Sequence, residues 1–270
     1  MKILIHYNGQ IDLAKEISEK AANYLLSRDV KCVYENDLVT DEINTISTII
    51  TFGGDGTILS AARKYIANDI PIMGFNVGKL GFLAEFSALY VRQNIYDLLE
   101  KKYKIIKRFL LSAQLRNEKY LAINDFVIRN TENSKLITLS AFANEQYIGD
   151  YRADGLIIST PTGSTAYSMA CGGPIVCPDA AVYCMTPISP HTLTLRPLVI
   201  PVNKNIIIKL AANSNDNANV IADGIDIGKI RIADNLEITM YDKEAKFIVP
   251  LESNYFSVLR KKLLWAEKIV

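Results

Sequence analysis

The first hundred residues alternate between short apolar runs and longer segments whose apolar residues recur at helical spacing. The short runs are rich in β-branched and aromatic residues and predict strands, whereas the segments between them predict helices. Strands that alternate with helices are typical of a mostly parallel α/β sheet. The predicted strands are 3–7, 30–34, 46–52 and 71–75, and the predicted helices are 11–27, 57–67 and one that ends at 100.

The pattern changes after Lys104, where short alternating runs separated by turn residues predict an antiparallel β domain. The predicted strands there are 105–115, 120–129, 136–143, 156–160, 206–210, 220–223 and 236–241. We therefore expect an α/β domain at 1–103 and an all-β domain at 104–254. The basic and apolar tail at 255–270 is expected to pack back on the N-terminal domain.

The net charge, the length of the apolar runs and the cysteine content bear on which partners and which compartment are expected. The net charge of +1 gives no global field for nucleic acid or an anionic membrane, and no apolar run approaches the length of a membrane span. The N-terminal residues 1–7 read as a first strand rather than a signal peptide. Four cysteines without a signal suggest reduced thiols. We expect a cytoplasmic protein with no nucleic-acid or membrane partner.

The candidate catalytic motif is Gly53-Gly54-Asp55-Gly56, which lies between a predicted strand and a predicted helix. Backbone amides at such a turn suit a phosphate, and glycines let the phosphate approach the main chain. A carboxylate beside a phosphate needs a cation or a reacting proton nearby. Two roles for Asp55 fit: indirect contact with phosphate-bound Mg²⁺, or general base toward a hydroxyl that attacks phosphorus. A tight turn with a solvated Asp is the simpler alternative.

Two better-known phosphate motifs do not match. A dinucleotide fingerprint needs a third glycine where this chain has Leu59. The stretch Gly74–Leu80 has the wrong spacing for a Walker loop, although its glycines, with Gly81, form a second loop that would face the same edge of the sheet. A Ser-His-Asp hydrolase is not predicted, because the chain has two histidines and no nucleophile elbow.

A hydroxyl-rich segment, Thr160–Pro174, interrupts the β region and predicts a turn that runs into a short helix at 164–170. A plain Ser/Thr-capped helix start remains the alternative. Asn124 and Asp125 lie within an apolar strand, so at least one of them should have a specific partner. Asp223 ends another apolar strand in the same part of the chain.

These motifs, in this order and at roughly this spacing, resemble the NAD kinase family. The stretches that carry the resemblance are Gly53–Thr57, Gly78–Phe82, Asn124-Asp125, Asp154–Leu156, Thr160–Tyr167, Gly172–Pro174, Pro187–His191 and Arg196–Val199. Gly-Gly-Asp-Gly-Thr alone is shared with diacylglycerol and sphingosine kinases. The segment 160–174 is far more specific to NAD kinases.

The resemblance implies a two-domain NAD kinase architecture and transfer of a phosphoryl group from ATP, or from polyphosphate, to the 2′-hydroxyl of the adenosine ribose of NAD, giving NADP. It implies a divalent metal ion, Mg or Mn, used with ATP, and no tightly bound organic cofactor. NAD and ATP are the implied small-molecule partners. Relatives are often homodimers or homotetramers, so the resemblance implies self-association as well.

The resemblance also assigns roles to residues. Asp55 resembles the family's proton acceptor, and Gly53, Gly54, Gly56 and Thr57 would bind the phosphates of ATP. Gly56 would also line the NAD site. The implied NAD-binding residues are Asn124, Asp125, Lys135, Arg152, Asp154, Thr165, Ala166, Tyr167, Ser168, Met169 and Ala170. Asp223 is a candidate supporting acid, whereas Ile225 stands where many relatives have Gln. No metal ligand is assigned.

Two other functions compete with this one. A diacylglycerol- or sphingosine-type lipid kinase would need a long apolar groove, which the polar segment 160–174 argues against. A non-catalytic NAD(H) sensor would keep the pocket and lose turnover, which the intact glycines and Asp55 argue against.

Overall fold

The computed structural model describes residues 1–78, 81–131, 136–211 and 217–264. The chain divides into two compact units: Met1–Lys107 with the described part of Glu244–Val270, and Arg108–Lys243. The divisions expected after 103 and after 254 differ from those observed after 107 and after 243, because two long strands, Tyr103–Leu115 and Asn235–Pro250, run through the points where the chain changes unit. Residues 244–254, expected in the β domain, therefore belong to the first unit.

The regular elements of the described residues follow one another in the order that their numbering gives. The strands are β1 (Lys2–Tyr7), β2 (Lys31–Tyr34), β3 (Thr48–Gly53), β4 (Ile72–Asn76), β5 (Phe86–Ser87), β6 (Tyr103–Leu115), β7 (Glu118–Ala122), β8 (Asp125–Asn130), β9 (Ile137–Ala143), β10 (Gln146–Ala153), β11 (Gly155–Ser159), β12 (Val182–Ile188), β13 (Leu198–Pro201), β14 (Ile206–Leu210), β15 (Asn217–Ala222), β16 (Ile225–Arg231) and β17 (Asn235–Pro250). The α-helices are α1 (Asp12–Leu26), α2 (Asp55–Tyr65), α3 (Val91–Leu99), α4 (Tyr167–Ala170) and α5 (Tyr255–Leu263).

The first unit is built on a parallel sheet in the order β2-β1-β3-β4, as its alternating pattern predicted. The carboxyl-terminal half of β17 continues it beside β4, again in parallel. Every residue of β3 and of β4 is buried, which explains their continuous apolar runs. The rings of Phe52 and Phe75 stack at 5.1 Å in this core. Because parallel strands end at one edge, the turn after β3 and the loop after β4 emerge side by side.

The second unit is antiparallel, also as predicted. One sheet has the order β13-β12-β11-β8-β15-β16, and a second path runs β10-β9-β14 to the first half of β17. Tyr183 and Phe126 are among the fully buried side chains of its core. The β11–β8–β15 part matters for the site, because its strand ends carry Asp125 and Asp223.

Several local predictions in this unit were wrong. The predicted strand 120–129 is two strands, β7 and β8, because the amides between them bond to a side chain instead of a neighbouring strand. The predicted helix 164–170 is a 3-10 turn, Gly163–Thr165, followed by the single turn α4. The sequence pattern did not predict four of the strands, because polar residues, prolines or glycines interrupt their apolar alternation. These strands are β10, β12, β13 and β16.

Candidate active-site residues and family membership

The carboxylate of Asp55 accepts hydrogen bonds from three consecutive backbone amides. Asp55 begins α2 directly after Gly54, which is in extended conformation. Its Oδ2 accepts from the amide of Phe82 at 2.8 Å, and its Oδ1 accepts from the amides of Leu83 and Ala84, both at 3.1 Å. The carboxylate is therefore held in one orientation by the loop that follows β4. The simpler alternative, a solvated Asp in a tight turn, does not describe this geometry.

Glycine is required at position 81 for this arrangement. A Cβ built on Gly81 would lie 1.9 Å from Asp55 Oδ1, so any side chain there would displace the carboxylate. Gly54 and Gly56 are different: both are exposed, and a Cβ on either meets nothing within 4 Å. The turn therefore has a packed side that fixes Asp55 and an open side at the start of an eleven-residue helix. An open helix start with accessible glycines is suited to a phosphate.

The second unit holds a loop in the same way with Asp223. Its Oδ2 accepts from the amide of Ile123 at 2.9 Å, and its Oδ1 accepts from the amides of Asn124 and Asp125 at 2.7 and 3.1 Å. Asp223 itself has a φ of 44°, in the left-handed region that Asp tolerates better than most residues. The two polar residues that the sequence singled out thus have a specific partner through their backbone amides.

Thr160 fastens the same loop from a third strand end. Its hydroxyl donates to the carbonyl of Ile123 at 2.6 Å, and its amide donates to the carbonyl of Asn124 at 2.9 Å. A Cβ on Gly163 would lie 2.0 Å from that same Asn124 oxygen, so position 163 requires glycine. The close approach of segment 160–163 to residues 123–125 therefore depends on the Thr-Pro-Thr-Gly sequence.

Among the described acids of the second unit, Asp125 is the one whose pKa is shifted most. The residue is 5% exposed. Burial, and next the charge of Asp223, raise the pKa of its carboxyl to about 7. An acid with this pKa exchanges its proton near neutral pH, and its ionised form gains most from hydroxyl donors of a ligand.

The segment from Thr165 to Ala170 presents a mixed surface. Ser168 is fully buried, and its hydroxyl lies 2.8 Å from that of Thr186, so it supports the turn from within. Tyr167 is 42% exposed, and Ala170 is exposed as well. Thr165, Ala166 and Met169 are half-buried. The segment therefore offers aromatic, apolar and hydroxyl contacts on one short turn.

The remaining predicted residues are less tightly held. Arg152 on β10 is exposed, and its carbonyl accepts from the amide of His191 at 2.9 Å. Asp154, also exposed, lies between β10 and β11 in the chain. Its amide donates to the carbonyl of Ile188 on β12, and its carbonyl accepts from the amide of Asn130 on β8. Lys135 lies outside the described residues.

The described residues contain no group of three His, Cys, Asp or Glu side chains placed to hold a metal ion. Over the same parts of the chain, no helix is both long and apolar enough to span a membrane.

Sequence reading missed the residues that hold these loops. Gly81 and Gly163 are required by close approach, and Thr160 by its three hydrogen bonds. The only local signal was their place in glycine- and hydroxyl-rich segments. Apart from the bond between Thr160 and the amide of Gly163, their partners lie 26 to 39 positions away in the sequence, beyond the reach of periodicity.

Comparison with known proteins agrees with this geometry. The family model of the ATP-NAD kinase N-terminal domain matches residues 8–103. The family model of the ATP-NAD kinase C-terminal domain matches residues 123–249. The chain belongs to the ATP-NAD kinase family, whose members are phosphotransferases that act on an alcohol group.

Curated relatives cover almost the whole chain. It is 39% identical to an NAD kinase from Sulfurimonas denitrificans over 228 residues, which are 83% of this chain and 79% of that protein. It is 32% identical to an NAD kinase from Fusobacterium nucleatum over 271 residues, which are 100% and 99% of the two chains.

Solved structures share the fold. The crystal structure of yeast NADH kinase complexed with NADH matches with a TM-score of 0.91 at 23% identity, over 100% of this chain and 89% of that one. An NAD kinase from Archaeoglobus fulgidus in complex with ATP matches with a TM-score of 0.81 at 24% identity, over 98% and 99% of the two chains.

Proposed function

We propose that this protein phosphorylates NAD with ATP to give NADP. In the reaction, a bond forms between the adenosine ribose 2′-oxygen and the terminal phosphorus, and the bond from that phosphorus to the bridging oxygen of ADP breaks. The proton of the hydroxyl passes to Asp55. The observation that carries the proposal is a carboxylate fixed by three amides next to the open glycines of a helix start.

Asp55 suits the role of proton acceptor because its orientation is fixed before substrate binds. Phosphoryl transfer depends chiefly on positioning and on stabilisation of charge. Oδ2 accepts one amide hydrogen bond and Oδ1 accepts two, so Oδ2 has more capacity left for a substrate hydroxyl. Gly53, Gly54, Gly56 and Thr57 would bind the phosphates of ATP, with the two exposed glycines nearest to them.

The second unit would bind NAD. Asn124 and Asp125 would hold the adenosine part, because Asp223 and Thr160 fix their loop and Asp125 becomes an acceptor of hydroxyl hydrogen bonds when ionised. The residues proposed to surround adenine and nicotinamide, or to contact the ligand further out, are Thr165, Ala166, Tyr167, Ser168, Met169, Ala170, Arg152, Asp154 and Lys135. Asp223 would act as a positioning residue for Asn124 and Asp125.

A divalent ion, Mg or Mn, would accompany ATP and offset phosphate charge. In the described residues, Asp55 is the acid at the phosphate turn, and it would contact such an ion through water rather than as one of several protein ligands. We also propose that the protein acts in the cytoplasm as a homodimer or homotetramer, which analytical ultracentrifugation would test.

The first experiment is turnover with Mg-ATP and NAD, with NADP detected by an NADP-specific dehydrogenase. We expect NADP with the unmodified chain and a large loss with Asp55→Asn. If NADP forms with polyphosphate but not with ATP, then polyphosphate rather than ATP is the phosphoryl donor. Binding of NAD without phosphorylation by any donor would favour the sensor, and phosphorylation of a lipid in vesicles would favour the lipid kinase; either result contradicts the proposal.

A further inference from the structure

Helix α5 lies near the end of the described chain, in the same compact unit as Asp55. Its start is capped by the side chain of Asn254, which accepts hydrogen bonds from two amides of the first turn at 3.0 and 3.3 Å. Leu259 is 4% exposed and anchors the middle of the helix. The last turn carries the basic residues Arg260–Lys262. The helix is therefore held at its start and its middle, and its end presents positive charge.

One of these basic side chains reaches the loop that holds Asp55. Lys262 lies three positions after the buried Leu259, so the two share a face of the helix. Its Nζ lies over the ring of Phe82, 5.9 Å from the centroid. A cation within about 6 Å of a ring centroid is attracted by the face of the ring. Lys261 is exposed and points about 100° away around the helix axis.

Phe82 connects this contact to the carboxylate of Asp55. The amide of Phe82 donates to Asp55 Oδ2 at 2.8 Å, and Oδ2 is the oxygen with more capacity left for a substrate hydroxyl. The preceding Gly81 has no side chain through which a neighbouring element could hold the loop. The half-buried ring of Phe82 offers such a side chain. A cation over the ring restrains this residue, and with it the direction of the N–H that Asp55 accepts.

We propose that Lys262 is a positioning residue for phosphoryl transfer: its ammonium group holds the ring of Phe82, and the amide of Phe82 thereby keeps Asp55 Oδ2 directed at the substrate hydroxyl. The inference rests on the proposed function, because the hydroxyl is taken to be that of NAD. Misplacement of a reacting group by about 1 Å costs on the order of 10²-fold in rate, so even a weak restraint on this amide has a measurable effect. The contact gives α5 a part in the geometry of the glycine turn.

The kinetic test removes the charge of Lys262 and then restores it. Lys262→Met keeps the apolar stem, and we expect kcat at saturating ATP and NAD to fall about threefold, the scale of an exposed cation–π contact. Lys262→Arg should keep the unmodified kcat, because a guanidinium is attracted by a ring face as well. Lys261→Met is the matched control: it removes a charge from the same helical turn but leaves the ring contact, so kcat should not change.

A double-mutant cycle shows whether Lys262 acts through the ring. Phe82→Leu removes the ring and should lower kcat by itself. In the Phe82→Leu background, Lys262→Met should cause no further loss, because the interaction that it removes is already absent. Losses in kcat that multiply in the double variant would overturn the inference. So would an unchanged kcat in Lys262→Met, an equal loss in Lys261→Met, or a failure of Lys262→Arg to keep the rate.

A second measurement needs no turnover. Deuterium exchange of the full chain, read by mass spectrometry on peptides that contain residues 82–84, reports how firmly Asp55 holds their amides. We expect exchange about threefold faster in Lys262→Met and unchanged in Lys261→Met, with Asp55→Asn as the positive control. A lower kcat in Lys262→Met with unchanged exchange would overturn the inference, because Lys262 would then act on the substrate itself. Faster exchange in a protein that makes no NADP would contradict the proposed function and leave the contact between Lys262 and Phe82 standing.

Discussion

Asp55 and Asp223 hold loops with the same pattern of hydrogen bonds in two unlike surroundings. Each carboxylate accepts three consecutive amides, two on Oδ1 and one on Oδ2, with distances from 2.7 to 3.1 Å. Asp55 begins a helix after a parallel strand, and Asp223 follows an antiparallel strand in a left-handed turn. The same solution to holding a loop has therefore arisen on both kinds of sheet.

The difference lies in what surrounds each carboxylate. Next to Asp55 are two exposed glycines with open space, which leave room for a phosphate. Next to Asp223 is the buried Asp125, whose proton affinity it raises. The comparison teaches that three amide bonds identify a fixed carboxylate but not a base. Under the proposed function, the open helix start fits Asp55 for the role of reacting group, whereas Asp223 would act through the loop that it holds.

The largest expected effect is that of Asp55→Asn. The variant should fold, because Asn keeps one acceptor oxygen, but kcat should fall by about 10²–10⁴ since the proton acceptor is lost. Asp223→Asn is the matched variant, and its kcat at saturating NAD should fall by less than about tenfold. Steady-state assays on both, with circular dichroism for folding, make the comparison. Equal losses in kcat would mean that loop holding, rather than proton acceptance, is what Asp55 contributes.

Gly81→Ala should come next. The new Cβ would lie 1.9 Å from Asp55 Oδ1, so the carboxylate must move, and misplacement by about 1 Å costs on the order of 10²-fold in rate. The measurement is kcat/KM for NAD at saturating ATP. Gly149→Ala is the control, because its Cβ meets nothing within 4 Å and Gly149 lies on β10. Normal turnover in Gly81→Ala would show that Asp55 need not be held where it is.

Asp223→Asn should lower the free energy of unfolding, as Asp55→Asn should, because each change replaces a carboxylate that accepts three backbone amides. The amide group of Asn would face a backbone N–H that has lost its acceptor, at a cost of roughly 1–3 kcal/mol in the free energy of unfolding. The KM for NAD should rise about tenfold, as the loop carrying Asn124 and Asp125 loosens. Urea unfolding and NAD titration test this. A KM for NAD that stays unchanged would separate Asp223 from the binding loop.

The smallest expected effect is a pH dependence of stability and of NAD affinity that arises from the carboxyl of Asp125 in the second unit. The pKa of Asp125 is about 7 in the folded chain, above its ordinary 3.8, so the folded state binds more protons between these values. Stability is then full below about pH 4 and falls as pH rises toward 7, above which the penalty is constant. NAD affinity should instead rise about tenfold from pH 6 to 8, because the ionised carboxylate accepts from hydroxyls. Calorimetric titration of Asp125→Asn should show no such rise; a rise that persists would assign it elsewhere.

The region around Asp55 contains both features that the sequence predicted and features that it did not predict. The strand, the glycine turn and the helix were predicted within a few residues, because all three are local and their apolar spacing is strong. The three amides that bond to the carboxylate were not predicted. Residues 82–84 meet Asp55 only because the parallel strands β3 and β4 end at the same edge of the sheet. Likewise the break between β7 and β8 followed from Asp223, about a hundred positions further along the chain.

By itself, the sequence determined the alternation of elements, the two kinds of sheet and the family, because periodicity and short motifs depend only on neighbouring residues. Only the tertiary structure decided which carboxylates are held, why Gly81 and Gly163 must be glycine, and why the pKa of Asp125 is raised to about 7. Each of these depends on close approach and on burial, which arise from contacts between distant segments. A local sequence pattern does not predict contacts between residues that are far apart in the chain.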